Sequence, residues 1–385
     1  MDGQRAYLDC NATAPLRPEA RAAALAALEL AANPSAVHQE GRRARRLLEE
    51  ARLAIAGLIN GLAEHVIFTS GGSEGAAMVL APGFRGRGKA PVERLVVSAI
   101  EHAAVLSAGR FAPADVAVCP VTSDGVIDLA ALEALLAQSA RPALLAVMLA
   151  NNETGIIQPI AEVAALGNRY GASLVCDAVQ AVGKIPVDIT ALGVDAIILS
   201  GHKLGAPQGS GAVILGEGAR LAAPLIRGGA QEHRQRAGTE NVSGIAGLSA
   251  ACDHLARLGI AENRRIRALR DDMEARLVAE LPGTHIMGQL LPRLPNTSLV
   301  TRAGINGETA VIALDLAGIA VATGSACASG KVAPSHVLKA MALDDAHARS
   351  ALRVSLGWAT TPGDVDKFIA AFAAHSNRIA GRAAA

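Results

Sequence analysis

The chain has 385 residues, enough for two domains and a sizeable buried core. Its 36 Lys and Arg nearly cancel 35 Asp and Glu, which leaves no broad field for nucleic acid or an anionic membrane surface. Hydrophobic residues reach 51%, much of it Ala, yet no apolar run approaches the roughly eighteen residues that a bilayer span requires.

The opening segment 1–13 carries Asp2, Arg5 and Asp9 and lacks the apolar stretch of a secretory signal, so a cytoplasmic address is expected. Helical patterns follow over 21–30 and 37–59; the cluster Arg42, Arg43, Arg45, Arg46 with Glu49 and Glu50 reads as a solvated helix face. From about 65 to 215 short β-rich runs alternate with helices. The strands are expected at 65–69, 94–99, 115–120, 143–149, 173–176, 195–199 and 211–215. Asp128 heads a helix over 129–138, and a second over 160–169 ends at Gly171. This alternation predicts an α/β fold: a large domain with a mostly parallel seven-stranded sheet covered by helices. Two further helices are expected at 241–258 and 261–281, before a stretch with three prolines and two glycines (281–295) opens a smaller α+β C-terminal domain. The expected division is 15–258 for the large domain, and 1–14 with 259–385 for the small one.

Ligands of open parallel sheets bind beyond the carboxyl ends of the strands. Here those ends carry Gly71-Gly72-Ser73-Glu74, Glu101-His102, Asn151-Asn152-Glu153, Asp177 and Ser200-Gly201-His202-Lys203. A glycine turn opening a helix offers free N–H groups to a phosphate, although a structural turn with Ser73 as cap reads the same way. It is neither a Walker loop nor a dinucleotide fingerprint, which disfavours nucleotides and a nicotinamide dehydrogenase. Asp177 follows the apolar run Leu174-Val175-Cys176, where an acid needs a cationic partner, such as a protonated pyridine nitrogen, or serves as a helix cap. Lys203 stands at the next strand end and can form an imine; alone, Ser-Gly-His-Lys also suits a surface loop. The five cysteines, Cys10, Cys119, Cys176, Cys252 and Cys327, form no C-x-x-C pair and no compact metal-ligand spacing, so no metal is expected. Four lie in or beside apolar segments and read as buried thiols. Cys327 sits among small residues (323–330) and reads as reactive.

Ordered blocks along almost the whole chain resemble the cysteine desulfurases of the nitrogenase and iron–sulfur-cluster type, within the fold-type-I pyridoxal-phosphate enzymes. They include YLDCNATAP (7–15), NPSAVHQEGR (33–42), FTSGGSEGA (68–76), EHAAVL (101–106), NNETGIIQPI (151–160), CDAVQAVGKIPVD (176–188), SGHKLGAPQGSGAVIL (200–215), RAGTEN (236–241), GSACASG (324–330), PSHVLKAM (334–341) and LRVSLG (352–357). The resemblance implies pyridoxal 5'-phosphate held as a Schiff base on Lys203, with Asp177 on the pyridinium nitrogen and His102 stacked on the ring. It implies Gly72, Ser73, Ser200 and His202 at the phosphate, and Gln180 and Asn152 at the phenolic oxygen. Thr239 would reach the phosphate of a neighbouring subunit in a homodimer. Arg353, otherwise readable as a surface salt bridge, would clamp the substrate carboxylate with help from Asn11. Cys327 would take sulfur from L-cysteine as a persulfide and pass it to an acceptor such as an iron–sulfur scaffold, leaving L-alanine. Selenocysteine lyase or aminotransferase chemistry on the same scaffold is the alternative, and a non-catalytic sulfur carrier is the alternative from another class. The chain departs from the pattern in reading Gly-Gly-Ser where Ala-Thr is common, Gly75-Ala76-Ala77 where Asn is frequent, and Gln208 where Lys is usual.

Overall fold

The computed structural model describes residues 5–30, 32–323 and 335–383. Strand β1 (Ala6–Tyr7) precedes the large sheet, built from β2 (Val66–Thr69), β3 (Arg94–Ser98), β4 (Val116–Cys119), β5 (Ala143–Met148), β6 (Ser173–Asp177), β7 (Ala196–Ser200) and β8 (Gly211–Leu215). All seven coincide with expected strands to within a residue or so at each end. Their order is β2-β8-β7-β6-β5-β3-β4; β3 to β7 run parallel, and β8 is antiparallel to both of its neighbours.

Period-two alternation explains why these strands read as continuous apolar runs. In β5, Leu145 and Val147 join one core and Leu144 and Ala146 the other, so helices cover both faces and every residue of the strand is buried. Polar side chains are left only the strand ends.

The expected pair of helices at 241–258 and 261–281 is one helix of 39 residues, Val242–Glu280. Leu258 and Ile260, 54% and 75% exposed, interrupt the apolar face around Gly259, which made the pattern look broken. A helix-interior glycine costs only about 1 kcal/mol, and no proline stops the chain here. The helix runs through residue 258, where the two domains were expected to part.

Beyond it stand β9 (Thr284–Ile286), β10 (Thr297–Arg302), β11 (Ile319–Ala320), β12 (Ala322–Thr323) and β13 (Leu352–Ser355). Four of them form an antiparallel sheet, β12-β13-β10-β9, while β1 pairs in parallel with β11, so the segment Ala6–Tyr7 packs with these later strands. Their core centres on Leu8, Leu277, Val354, Phe368 and Phe372.

Candidate active site

The carboxyl ends of β5, β6 and β7 meet β12, β13 and the helix Gly307–Leu316 around one cavity of roughly 760 Å³. Its lining includes Asn11, Gly72, Ser73, His102, Asn152, Asp177, Gln180, Ser200, His202, Lys203 and Arg353. Thr239 is not among the lining residues; it is exposed, on a loop moored by the ion pairs Arg52–Glu232 and Arg236–Glu74. Cys327 lies outside the described residues.

Helix Gly72–Val79 opens at the cavity with Gly71, φ 153°, as its N-cap. Ser73 is not the cap: it lies inside the first turn, while Glu74 Oε2 accepts the Ser70 N–H at 2.7 Å. A Cβ at Gly72 would come 3.0 Å from Val179 Cγ2, and one at Gly75 2.9 Å from Ile198 Cγ2. The helix is thus pressed onto β7, leaving its first N–H groups as a cradle for an anion. Gly75, a departure from the expected pattern, is what this close packing requires.

Asp177 ends β6. Its Oδ1 accepts the Val179 N–H at 2.9 Å, which closes a turn; no helix begins there, so the helix-cap reading does not hold. Burial pushes its carboxyl up, while that N–H, His102 and Lys203 pull it down. Glu101, fully buried, accepts the N–H of Met148, the residue paired with Asp177 across the sheet, and its other oxygen has no hydrogen-bond partner among the described residues. Burial and then Asp177 raise the Glu101 carboxyl well above the usual range, against the pull of the Met148 N–H. His102 accepts the Ala104 N–H at Nδ1 (3.1 Å), so its ring proton sits on Nε2, and burial lowers its affinity for a second proton.

Lys203 Nζ donates to the carbonyls of Asn11 (2.6 Å) and Ala12 (2.8 Å). Burial, then Arg353, lowers its pKa to about 8, against the pull of Asp9 and Asp177. This is an amine available for imine chemistry near neutrality rather than a solvated surface lysine. His202 lines the same wall, held by Thr13 Oγ1 at 3.1 Å and kept neutral by burial, with a pKa near 4.

Arg353, on β13, is in a salt bridge as its alternative reading held, but a buried one: Nη2 meets Asp9 Oδ1 at 2.7 Å and Nη1 the Asn152 carbonyl at 3.2 Å. Its buried Nε has no hydrogen-bond partner among the described residues. Asn11 lines the cavity beside Arg353. Its Nδ2 donates to the Asn152 carbonyl and Thr297 Oγ1, and its Oδ1 accepts from Asn296, so the side chain braces the cavity wall. The Gln180 amide bonds the Asn11 carbonyl (3.0 Å) and accepts from Lys184 Nζ (2.8 Å).

Sequence reasoning passed over Asp9, Glu101, Lys184 and the apolar wall of Val311 and Ile312. Asp9 and Glu101 sit inside motifs that were visible, but their partners are 344 and 47 residues away, a distance no local spacing encodes.

The aminotransferase class-V family matches residues 6–368. A cysteine desulfurase of Cereibacter sphaeroides is 42% identical over 373 residues, covering 95% of this chain and 94% of that protein. The NifS-like protein of Rickettsia africae superposes with a TM-score of 0.87 at 34% identity, covering 96% of this chain and 98% of that one. SspA in complex with cysteine gives 0.74 at 26% identity, covering 91% and 98%.

Proposed function

Since the chain belongs to the aminotransferase class-V family of pyridoxal-phosphate enzymes, we propose that it is a cysteine desulfurase, with the cavity just described as its site. The observation that carries the reading is the convergence of Lys203, Asp177, His102 and Arg353 on one cavity. The residues fit the cofactor: a helix N-terminus with glycines where a Cβ would collide, a buried acid in no ion pair among the described residues, and an amine of lowered pKa. Gly72, Ser73, Ser200 and His202 hold its phosphate, Asp177 its ring nitrogen, His102 its face, Gln180 and Asn152 its phenolic oxygen, and Lys203 Nζ its aldehyde carbon. When bound, pyridoxal phosphate supplies an electron sink for the charge left as a proton departs from the substrate Cα.

The chain's own residues do the rest. Arg353 orients the substrate carboxylate, with the turn at Asn152 fixing the guanidinium. Lys203 Nζ takes the Cα proton, a task suited to an amine of pKa about 8. The Cys327 thiolate attacks the substrate sulfur; the S–S bond forms as the Cβ–S bond breaks, and Cβ gains a proton. L-cysteine and a thiol become L-alanine and a persulfide, with no external oxidant. The persulfide passes to an acceptor protein, for which an iron–sulfur scaffold is the reading favoured by the sequence blocks.

Exposure of Thr239, outside its own chain's cavity, supports a homodimer in which this residue completes the phosphate site next door. The four described cysteines are free thiols, and no described helix is long and apolar enough to cross a membrane; both support a cytoplasmic address.

The test is turnover of cofactor-loaded protein on L-cysteine with a thiol reductant. Equimolar alanine and sulfide, without any keto acid, is the expected result. Turnover on selenocysteine alone, or alanine formed only with a keto-acid partner, would select the alternative activities. A Cys327→Ser variant that still releases sulfide would remove that thiol from the reaction.

A further inference from the structure

The turn after β5 serves the substrate side of the cavity and also another part of the chain. Asn151 Oδ1 closes it by accepting the N–H groups of Glu153 (2.9 Å) and Thr154 (3.0 Å). From this turn the Asn152 carbonyl holds both Arg353 Nη1 and Asn11 Nδ2. The next side chain, Glu153, accepts the Ser335 hydroxyl at 2.5 Å. Both residues are buried, at 4% and 5% exposure, so water does not compete for the bond. Ser335 is the first described residue after 324–334, eight positions beyond Cys327. A second tie lies beside it: His336 Nε2 meets the Glu101 carbonyl at 2.9 Å, one residue before His102.

Stability does not account for an acid at this place. The Ser335 Oγ already accepts the Val337 and Leu338 N–H groups, so the helix His336–Ala340 is capped without Glu153. No cation contacts the carboxyl in an ion pair among the described residues, and burial drives its pKa up to about 7 even though Ser335 and Arg353 act to lower it. An apolar side chain would fill the space at lower cost. What an apolar residue would lose is the link between the turn that orients Arg353 and the return end of the chain that carries Cys327.

We propose that Glu153 and Ser335 form a positioning pair for the sulfur-transfer step, referencing the receiving thiol's chain to the turn that fixes the substrate carboxylate. The inference rests on the sulfur-transfer reading above. It assigns the pair no contact with substrate or cofactor, so substrate affinity and transfer rate respond differently to its loss.

The experiment uses cofactor-loaded enzyme with Glu153→Ala, Glu153→Gln, Ser335→Ala and the double alanine variant. The Kd for L-cysteine comes from the cofactor's absorbance change, and single-turnover persulfide formation on Cys327 from alkylation and mass spectrometry. Glu153→Ala and Ser335→Ala should each slow persulfide formation about tenfold through loss of the buried hydrogen bond they share, with Kd within about twofold of wild type; Ser335→Ala also uncaps the helix His336–Ala340, a loss read separately in thermal unfolding. Glu153→Gln, which keeps an acceptor oxygen, should stay within about threefold, and the double variant should be no slower than either single one. Glu153→Met, of similar volume, replaces Glu153→Ala if that chain does not fold, with the same expectation. Parallel losses in affinity and transfer, additive effects of the two alanines, or unchanged rates would each overturn the pair. A wild-type enzyme that never labels Cys327 would sink the sulfur-transfer reading itself, whereas labelling at equal rates in wild type and variants would sink only the positioning role.

Discussion

Two sets of buried charges in this molecule contrast sharply. Arg52–Glu232 and Arg293–Glu274 are bidentate pairs with side chains no more than 4% exposed, and Glu232 is further satisfied by the Phe68 N–H at 2.8 Å. In the cavity, Lys203 leans on two backbone carbonyls, Asp177 on one N–H, and Glu101 keeps an oxygen without a hydrogen-bond partner among the described residues. The first set has spent its charge within the fold. The second holds pKa values displaced by burial, a state that another molecule with a carboxylate, a phosphate or a protonated ring can relieve. Charges that stabilise the fold and charges kept for chemistry should therefore fail in different ways when removed.

The largest effect should come from Lys203→Ala, which is expected to abolish turnover and the borohydride-sensitive visible band while far-ultraviolet circular dichroism stays unchanged. Retained activity would break the contrast at its centre. Asp177→Asn keeps an acceptor for the Val179 N–H, so its melting temperature should stay near wild type while kcat falls about a hundredfold or more. Glu232→Ala should show the opposite pattern. It strands the Arg52 guanidinium, and denaturant unfolding should register a loss of about 3–5 kcal/mol. A stable Glu232→Ala chain with poor turnover would place that pair in the wrong set.

The smallest effect concerns pH. An amine reacts with an aldehyde only when neutral, so cofactor uptake by the apo-protein should rise with pH through about 8 and level off above it. Between one unit below and one unit above that value the rate should change about tenfold, as the neutral fraction does. A profile rising only near pH 10 would mean that burial does not lower the amine's proton affinity.

The large sheet was legible because its strands are apolar runs of four to six residues bounded by polar ends, and those ends are the site. The small domain was not legible strand by strand: β11 and β12 are two residues each, too short to carry a period. Lys203, Asp177 and His102 were found because each stands at or just beyond the carboxyl end of a strand. Glu101 was seen only as His102's neighbour, since nothing in the sequence says that its carboxyl reaches Met148. Arg353 was found as a residue of the cavity but without its partner Asp9, because the contact joins β13 to the chain's first turn. The cap at Gly71 rather than Ser73 was missed because glycine and serine both suit that position, and only the tight seat on Val179 decides between them.

The helix Val242–Glu280, at 1.5 Å per residue, is a strut about 58 Å long shared by both halves of the molecule. Its first half contributes Ile245, Leu248 and Leu255 to the core of the large sheet and its second half Ile266, Met273 and Leu277 to the core of the later strands, so one rigid element is built into both.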